Sequence, residues 1–316
     1  MDSNNKVHDV IMIGAGPSAL AAAVYTTRED IETTLYEKGV IGGLAATTDW
    51  VDNYPGFVDG IEGMKLANQL EAQAERFGAK IEFGEINSIK LDGDEKVLLI
   101  DGTNEVRTKA VLIATGSDYN KLGIPGETEY YGRGVHYCAT CDGAFYREKR
   151  LVVVGGGNSA IQEAIFLTRF ASHIDLVVRS SIKASEVLQH DLKEYVDNGK
   201  ITVHLATSTD EIVATDGKVT GVKVTTAGES KMIETDGVFV FVGLKPNTGF
   251  LVGSGVELDQ YGMVKTDDKL QTTIPGVFAS GDVRSGATMQ IASAVGEGAT
   301  AALSIREYLE DLARKQ

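Results

Sequence analysis

A chain of 316 residues, 43% hydrophobic and 24% charged, has the length for two domains of roughly 150 residues each and is too apolar to stay disordered. Its 30 basic and 45 acidic residues leave a net charge of −15, which repels phosphate backbones and anionic lipid, so no nucleic acid and no membrane surface is predicted as a partner. No run approaches the roughly 18 apolar residues of a membrane span, and Met1-Asp2-Ser3-Asn4-Asn5-Lys6 lacks the apolar core of a signal peptide. A soluble, cytoplasmic protein is predicted.

The 36 glycines and 5 prolines follow no short repeat, so the excess glycine belongs at tight turns and close backbone approaches. The first such place follows the β-branched run Val10-Ile11-Met12-Ile13. Gly14-Ala15-Gly16 then leads into an alanine-rich helix, giving strand, turn and helix. Gly14 permits the tight turn, Gly16 lets a pyrophosphate approach the backbone, and small Ala19 lets helix pack on strand. Ile31 to Glu37 reads as the second strand and ends in an acid about 20 residues beyond the glycines, where a carboxylate accepts from ribose hydroxyls. Trp50 reads as an amphipathic packing residue. Ala110 to Gly116 is a buried-type strand that leaves the first nucleotide unit.

Cys138 and Cys141 are the only cysteines, three positions apart. In a cytosolic chain that spacing points to redox chemistry or half of a metal site. A complete zinc site needs two more ligands, and His8, His136, His173, His190 and His204 are scattered, so no metal is assigned. His136 reads as an exposed or hydrogen-bonded structural histidine, because successive strand residues face opposite sides.

A second strand, turn and helix begins at Leu151-Val152-Val153-Val154, with Gly155, Gly157 and Ala160 in the same spacing. Its second strand, Ile174 to Arg179, ends in a cation where the first unit ended in Glu37. That exchange removes a repulsion from a 2′-phosphate and favours NADP over NAD. Gly237 to Gly243 and Gly276 to Val283 read as further strands, and Gln290 to Leu309 as a helix. The predicted fold is α/β, with two Rossmann-like dinucleotide-binding domains, the second inserted into the first. The first spans residues 1–116 and 248–316, the second 117–247 with the cysteine pair. Gly116-Ser117-Asp118 and Lys245-Pro246-Asn247 supply the connectors.

These residues resemble the low-molecular-weight flavoprotein thioredoxin reductases, over nearly the whole chain. The specific element is Tyr137-Cys138-Ala139-Thr140-Cys141-Asp142-Gly143, just ahead of the second glycine motif. Asn53-Tyr54-Pro55-Gly56, Gly155-Gly156-Gly157-Asn158-Ser159-Ala160, Gly243-Leu244-Lys245-Pro246-Asn247 and Gly281-Asp282-Val283 follow in the family's order. The resemblance implies FAD in the first domain, at Gly14, Gly16, Ala19, Glu37, Asn53, Asp282 and Gln290. It implies NADPH in the inserted one, at Gly155, Gly157, Asn158, Ser159 and Ala160 with Arg179 and Lys183. It implies Cys138 and Cys141 as the redox disulfide, Asp142 as the acid–base group, thioredoxin or a thioredoxin-like protein as substrate, and a homodimer. It also implies that the inserted domain rotates about Gly116-Ser117 and Pro246-Asn247, so that nicotinamide and cysteines take turns at the flavin.

The parts make sense without the name. A pyridine nucleotide gives two electrons as hydride, a flavin takes them, and a disulfide also accepts two. The bland reading of Asp142 is a helix cap. Val178-Arg179-Ser180-Ser181-Ile182-Lys183 is thinner in cations than the family's stretch, and Leu44 and Met289 depart from its usual Gln and Arg. NADH therefore stays open beside NADPH, as does ferredoxin or another donor that is not a pyridine nucleotide. A redox-sensing binding protein without turnover is the reading from another class.

Overall fold

The computed structural model describes residues 6–48 and 50–315; Met1 to Asn5, at the start of the chain, lie outside that range. The chain forms two compact units, one running to Asp118 and resuming at Lys245, the other Tyr119–Leu244. No helix of the described residues is long and apolar enough to cross a membrane.

In the first unit the strand Val7–Ile13 lies between Thr33–Glu37 and Asn104–Ile113, parallel to both. Lys80–Phe83 extends the sheet beyond Thr33–Glu37, and Val277–Ala279 pairs in parallel with the end of Asn104–Ile113. Parallel strands are covered on both faces, which is why Val10, Ile11, Met12, Leu112 and Phe278 are fully buried. The helix Pro17–Arg28 starts with proline, whose fixed φ suits a first turn, and ends where Asp30 turns left-handed at φ 58°. It lies close against Ile291–Lys315, where a Cβ at Gly298 would fall 2.1 Å from the Ser18 carbonyl oxygen.

The strand predicted at 110–116 begins earlier and ends at Ile113. Its first half completes the antiparallel meander Ile86–Asp92, Glu95–Ile100, Asn104–Ile113. This meander buries Lys96, only 2% exposed. Its Nζ donates to the carbonyls of Asp94 (3.0 Å) and Lys109 (2.8 Å) and to Tyr308 Oη (2.9 Å). Lys96→Met keeps the apolar stem and leaves those acceptors without a donor, so urea unfolding at pH 7 is expected to show a loss of about 2–4 kcal/mol. Burial pushes the Lys96 ammonium down to about 8 from 10.5. The folded state then holds fewer protons than the unfolded one between those values, so the wild type gains on the variant as pH rises through that window.

In the second unit Arg150–Val154 lies between Gly237–Val240 and His173–Val177, all parallel, with Val135–His136 and Ile201–His204 at the edges. A separate antiparallel sheet, Thr207–Thr215, Lys218–Thr226 and Glu229–Glu234, follows. Its two-residue turns, Asp216-Gly217 and Ala227-Gly228, have positive φ at both positions, as hairpins that match strand twist require. At the unit boundaries, Asn247 N–H donates to the Gly116 carbonyl (3.0 Å) in the first unit and Asn120 N–H to the Gly243 carbonyl (3.0 Å) in the second.

Candidate functional site

Two glycine turns, one in each unit, repeat the same division of labour. Gly14 has φ +96°, and a Cβ there would sit 2.6 Å from the Ala114 carbonyl oxygen, so packing alone demands glycine. Gly16 is different: its φ is −77°, open to any residue, and nothing lies within 4 Å of the Cβ it lacks. The space beside Gly16 is left free at the N-terminus of a 12-residue helix, where backbone N–H groups favour an anion. Ala19, fully buried, packs that helix on the sheet.

In the second unit Gly155 has φ +145°, and its Cβ would meet the Phe241 carbonyl oxygen at 2.3 Å. Gly157, at φ −89°, again faces open space. Ala160 is fully buried, and Ser159 is exposed at the helix start. Asn158 Oδ1 accepts from the Ser185 N–H (2.9 Å), and Lys183 N–H donates to the Gly156 carbonyl (2.7 Å), so the 180–185 segment is tied to the turn. A cleft of about 590 Å³ opens here, lined by Gly155–Ala160, Arg179 and Lys183. Lys121 joins them as a third cation, one that sequence reading missed because it arrives from the unit's first connector.

Glu37 turns its carboxylate onto the first glycine turn, accepting from Ala15 N–H (2.8 Å) and Gly39 N–H (2.7 Å). Each carboxylate oxygen keeps lone pairs for a ribose. Asn53 Nδ2 donates to Gln290 Oε1 (3.0 Å), joining residues 237 positions apart just before the long helix. Asp282 follows the strand Val277–Ala279 and lies beside Arg284, whose guanidinium forks onto Glu297 (2.6 and 3.1 Å). A dinucleotide along this first turn would therefore meet open backbone at Gly16, a carboxylate at Glu37, and the Asn53–Gln290 pair.

Burial, aided by the Glu297 charge, raises the Asp282 carboxyl from 3.8 to about 6. The folded state then binds more protons than the unfolded one between those values, so this group's contribution to stability falls as pH rises from 4 to 6. Flavin-free wild type is expected to lose up to about 3 kcal/mol against Asp282→Asn across that range. Denaturant midpoints of the two proteins that stay parallel from pH 4 to 6.5 would refute it.

Cys138 and Cys141 form a disulfide, with Cα atoms 5.3 Å apart. Cys138 caps the short helix Ala139–Asp142, its Sγ accepting from the Cys141 N–H (3.2 Å). Asp142 ends this helix and stands at the N-cap position of the 3₁₀ helix Gly143–Tyr146 without a side-chain capping bond there; its Oδ2 lies 3.2 Å from His136 Nδ1. His136 is buried at 6% exposure, not exposed, and Nε2 is hydrogen-bonded to Tyr146 Oη (2.7 Å). Tyr137 points elsewhere, donating to the buried Glu127 (2.7 Å). Trp50 is 45% exposed, with its indole nitrogen over Gly60.

The family model described as pyridine nucleotide-disulphide oxidoreductase matches residues 8–298. A thioredoxin reductase of Bacillus subtilis (strain 168) is 42% identical over 313 residues, which cover 98% of this chain and 97% of that protein. A thioredoxin reductase of Listeria monocytogenes is 41% identical over 315 residues, 99% of this chain and 97% of its own. The crystal structure of thioredoxin reductase from Streptococcus pyogenes MGAS5005 superposes with a TM-score of 0.91 at 39% identity, covering 97% of this chain and 99% of that one.

Proposed function

This chain belongs to the thioredoxin reductases of the pyridine nucleotide-disulphide oxidoreductase family, and from that premise we propose that it carries electrons from NADPH through FAD and the Cys138–Cys141 pair to thioredoxin. The observation that carries the reading is the pair of free glycine faces, Gly16 and Gly157, one per unit, with the disulfide in the unit that holds Gly157. Neither glycine is required by φ or by packing, and each leaves open space at a helix N-terminus, where an anion is favoured.

FAD, when bound, supplies the two-electron acceptor that links hydride donor to disulfide. The Gly14–Ala19 turn and the helix behind it hold its pyrophosphate, Glu37 its ribose, Asp282 the ribityl and phosphate region, and Asn53 with Gln290 the flavin end. NADPH binds in the cleft of the second unit at Gly155, Gly157, Asn158, Ser159 and Ala160, its 2′-phosphate facing Arg179 and Lys183. Two electrons break the Cys138–Cys141 bond, and Asp142 gives a proton to one of the two sulfurs. The remaining thiolate attacks the thioredoxin disulfide, forming a mixed disulfide and expelling a thioredoxin thiolate. The second cysteine then returns its proton to the Asp142 carboxylate, attacks that bond as a thiolate, restores Cys138–Cys141 and releases thioredoxin with both its sulfurs reduced. We assign this work to a cytoplasmic homodimer, for which light scattering would return twice the 33.7 kDa chain mass.

The sparse, exposed cations of the cleft favour one second reading, in which ferredoxin or another donor replaces NADPH; Lys121 in the same cleft weighs against it. Anaerobic titration of the yellow protein with NADPH, NADH and reduced ferredoxin in parallel separates them. NADPH is expected to bleach the flavin at the lowest concentration. Bleaching by ferredoxin with none by either nucleotide overturns the NADPH assignment, and absence of flavin absorbance after refolding with FAD overturns the whole path.

A further inference from the structure

His136 is held on three sides. Its ring stacks on fully buried Phe239 (centroids 5.1 Å apart, 30° between planes), and Tyr146 meets it edge-on at 5.3 Å. Tyr146 is itself seated over Gly237, where a Cβ would fall 2.4 Å from its ring. Burial, together with the charges of Asp142 and Asp236, pushes the Tyr146 phenol well above its ordinary range, so it keeps its proton. An Asp142 carboxylate only accepts, so with Oδ2 3.2 Å away the ring proton belongs on Nδ1, and Nε2 is then left to accept from the phenol. The other charged groups around Tyr146 are engaged with each other: Asp236 pairs with Lys149 (3.4 Å) and accepts from the Arg150 N–H (2.9 Å).

We infer that His136 is a positioning residue for Asp142, holding its carboxyl group and stabilising the carboxylate left when the proton has gone to a sulfur. The inference rests on the reading of Asp142 as the proton donor. When two electrons break the S–S bond, two sulfur anions form. One takes the Asp142 proton, and the charge moves to a carboxylate that faces the His136 Nδ1–H. Tyr146 holds Nε2 and keeps its own proton. Position 136 sits on the strand Val135–His136 and Asp142 at the end of the helix that carries both cysteines, so the contact ties that helix to the sheet.

The test uses FAD-loaded His136→Gln, His136→Asn and Asp142→Asn. Glutamine keeps a polar group for Tyr146 and presents nothing at the Nδ1 position, whereas the asparagine amide replaces the Nδ1–H. His136→Gln is expected to slow thioredoxin-dependent turnover at least about tenfold. The pH profile of turnover is expected to depart from that of the wild type, because the carboxylate has lost its donor. Flavin bleaching by NADPH stays within about twofold of wild type, since that half-reaction does not use Asp142. His136→Asn restores turnover to within about threefold and gives the wild-type pH profile. Asp142→Asn with full turnover would sink the Asp142 reading itself. An impaired Asp142→Asn beside a His136→Gln of wild-type rate and pH profile would overturn the inference alone, as would equal losses in both His136 variants with an unmoved profile.

Discussion

Cys138→Ser and Cys141→Ser are each expected to abolish thioredoxin reduction while leaving FAD bound and reducible by NADPH. Either change removes one sulfur of the disulfide that joins the two positions, and a hydroxyl neither stores two electrons nor leaves from a mixed disulfide. The fold survives for a local reason. Cys138 caps the Ala139–Asp142 helix through Sγ, and serine is among the preferred residues at that position. The variant that retains the attacking thiol captures one equivalent of oxidised thioredoxin as a covalent adduct, since no second thiol resolves it. Mass spectrometry of the mixture therefore also tells which cysteine attacks. Substantial thioredoxin-dependent NADPH consumption by either variant would end the dithiol mechanism.

What the sequence disclosed was the chemistry that is local along the chain. Gly14 and Gly155 are legible because a positive φ and a carbonyl pressed against the missing Cβ admit only glycine, and the strand before and helix after give each its context. The cysteine spacing is local in the same sense. Asn53 and Gln290 meet across 237 positions, and nothing in either neighbourhood announces the other, so only resemblance carried them. Lys121 was invisible for the same reason. Of the two readings of His136, the hydrogen-bonded one holds and the exposed one does not, because strand alternation fixes which face a side chain leaves from, not whether that face is covered, and here Phe239 and Tyr146 cover it. The sheet from Thr207 to Glu234 was missed although Asp216-Gly217 is a strong hairpin signal and Val219, Ile233 and Val222 face inward. Strand ends ran long in the reading, as at Ala114–Gly116, because apolar residues continue past the last ladder bond into the turn that closes over Gly14.

Valine at Gly16 or Gly157 is expected to separate ligand binding from folding, whereas alanine at Gly14 or Gly155 is expected to damage both. At Gly16 the backbone lies at φ −77° and ψ 178°, which suits a β-branched residue, and nothing crowds the new Cβ. Flavin-free Gly16→Val should therefore unfold within about 0.5 kcal/mol of the wild type. Its side chain fills the approach of the pyrophosphate to the helix N-terminus, so FAD affinity should drop at least about a hundredfold, a cost near 3 kcal/mol. Gly157→Val should keep FAD and raise the NADPH requirement alone. Gly14→Ala must instead hold φ +96° with a Cβ 2.6 Å from the Ala114 oxygen, and a loss of about 2 kcal/mol or more in the flavin-free protein is expected. Binding assays on refolded variants with and without FAD distinguish the cases. Undiminished FAD affinity in a well-folded Gly16→Val would mean that the pyrophosphate does not lie over this turn, and the first nucleotide site would have to be sought elsewhere in the unit.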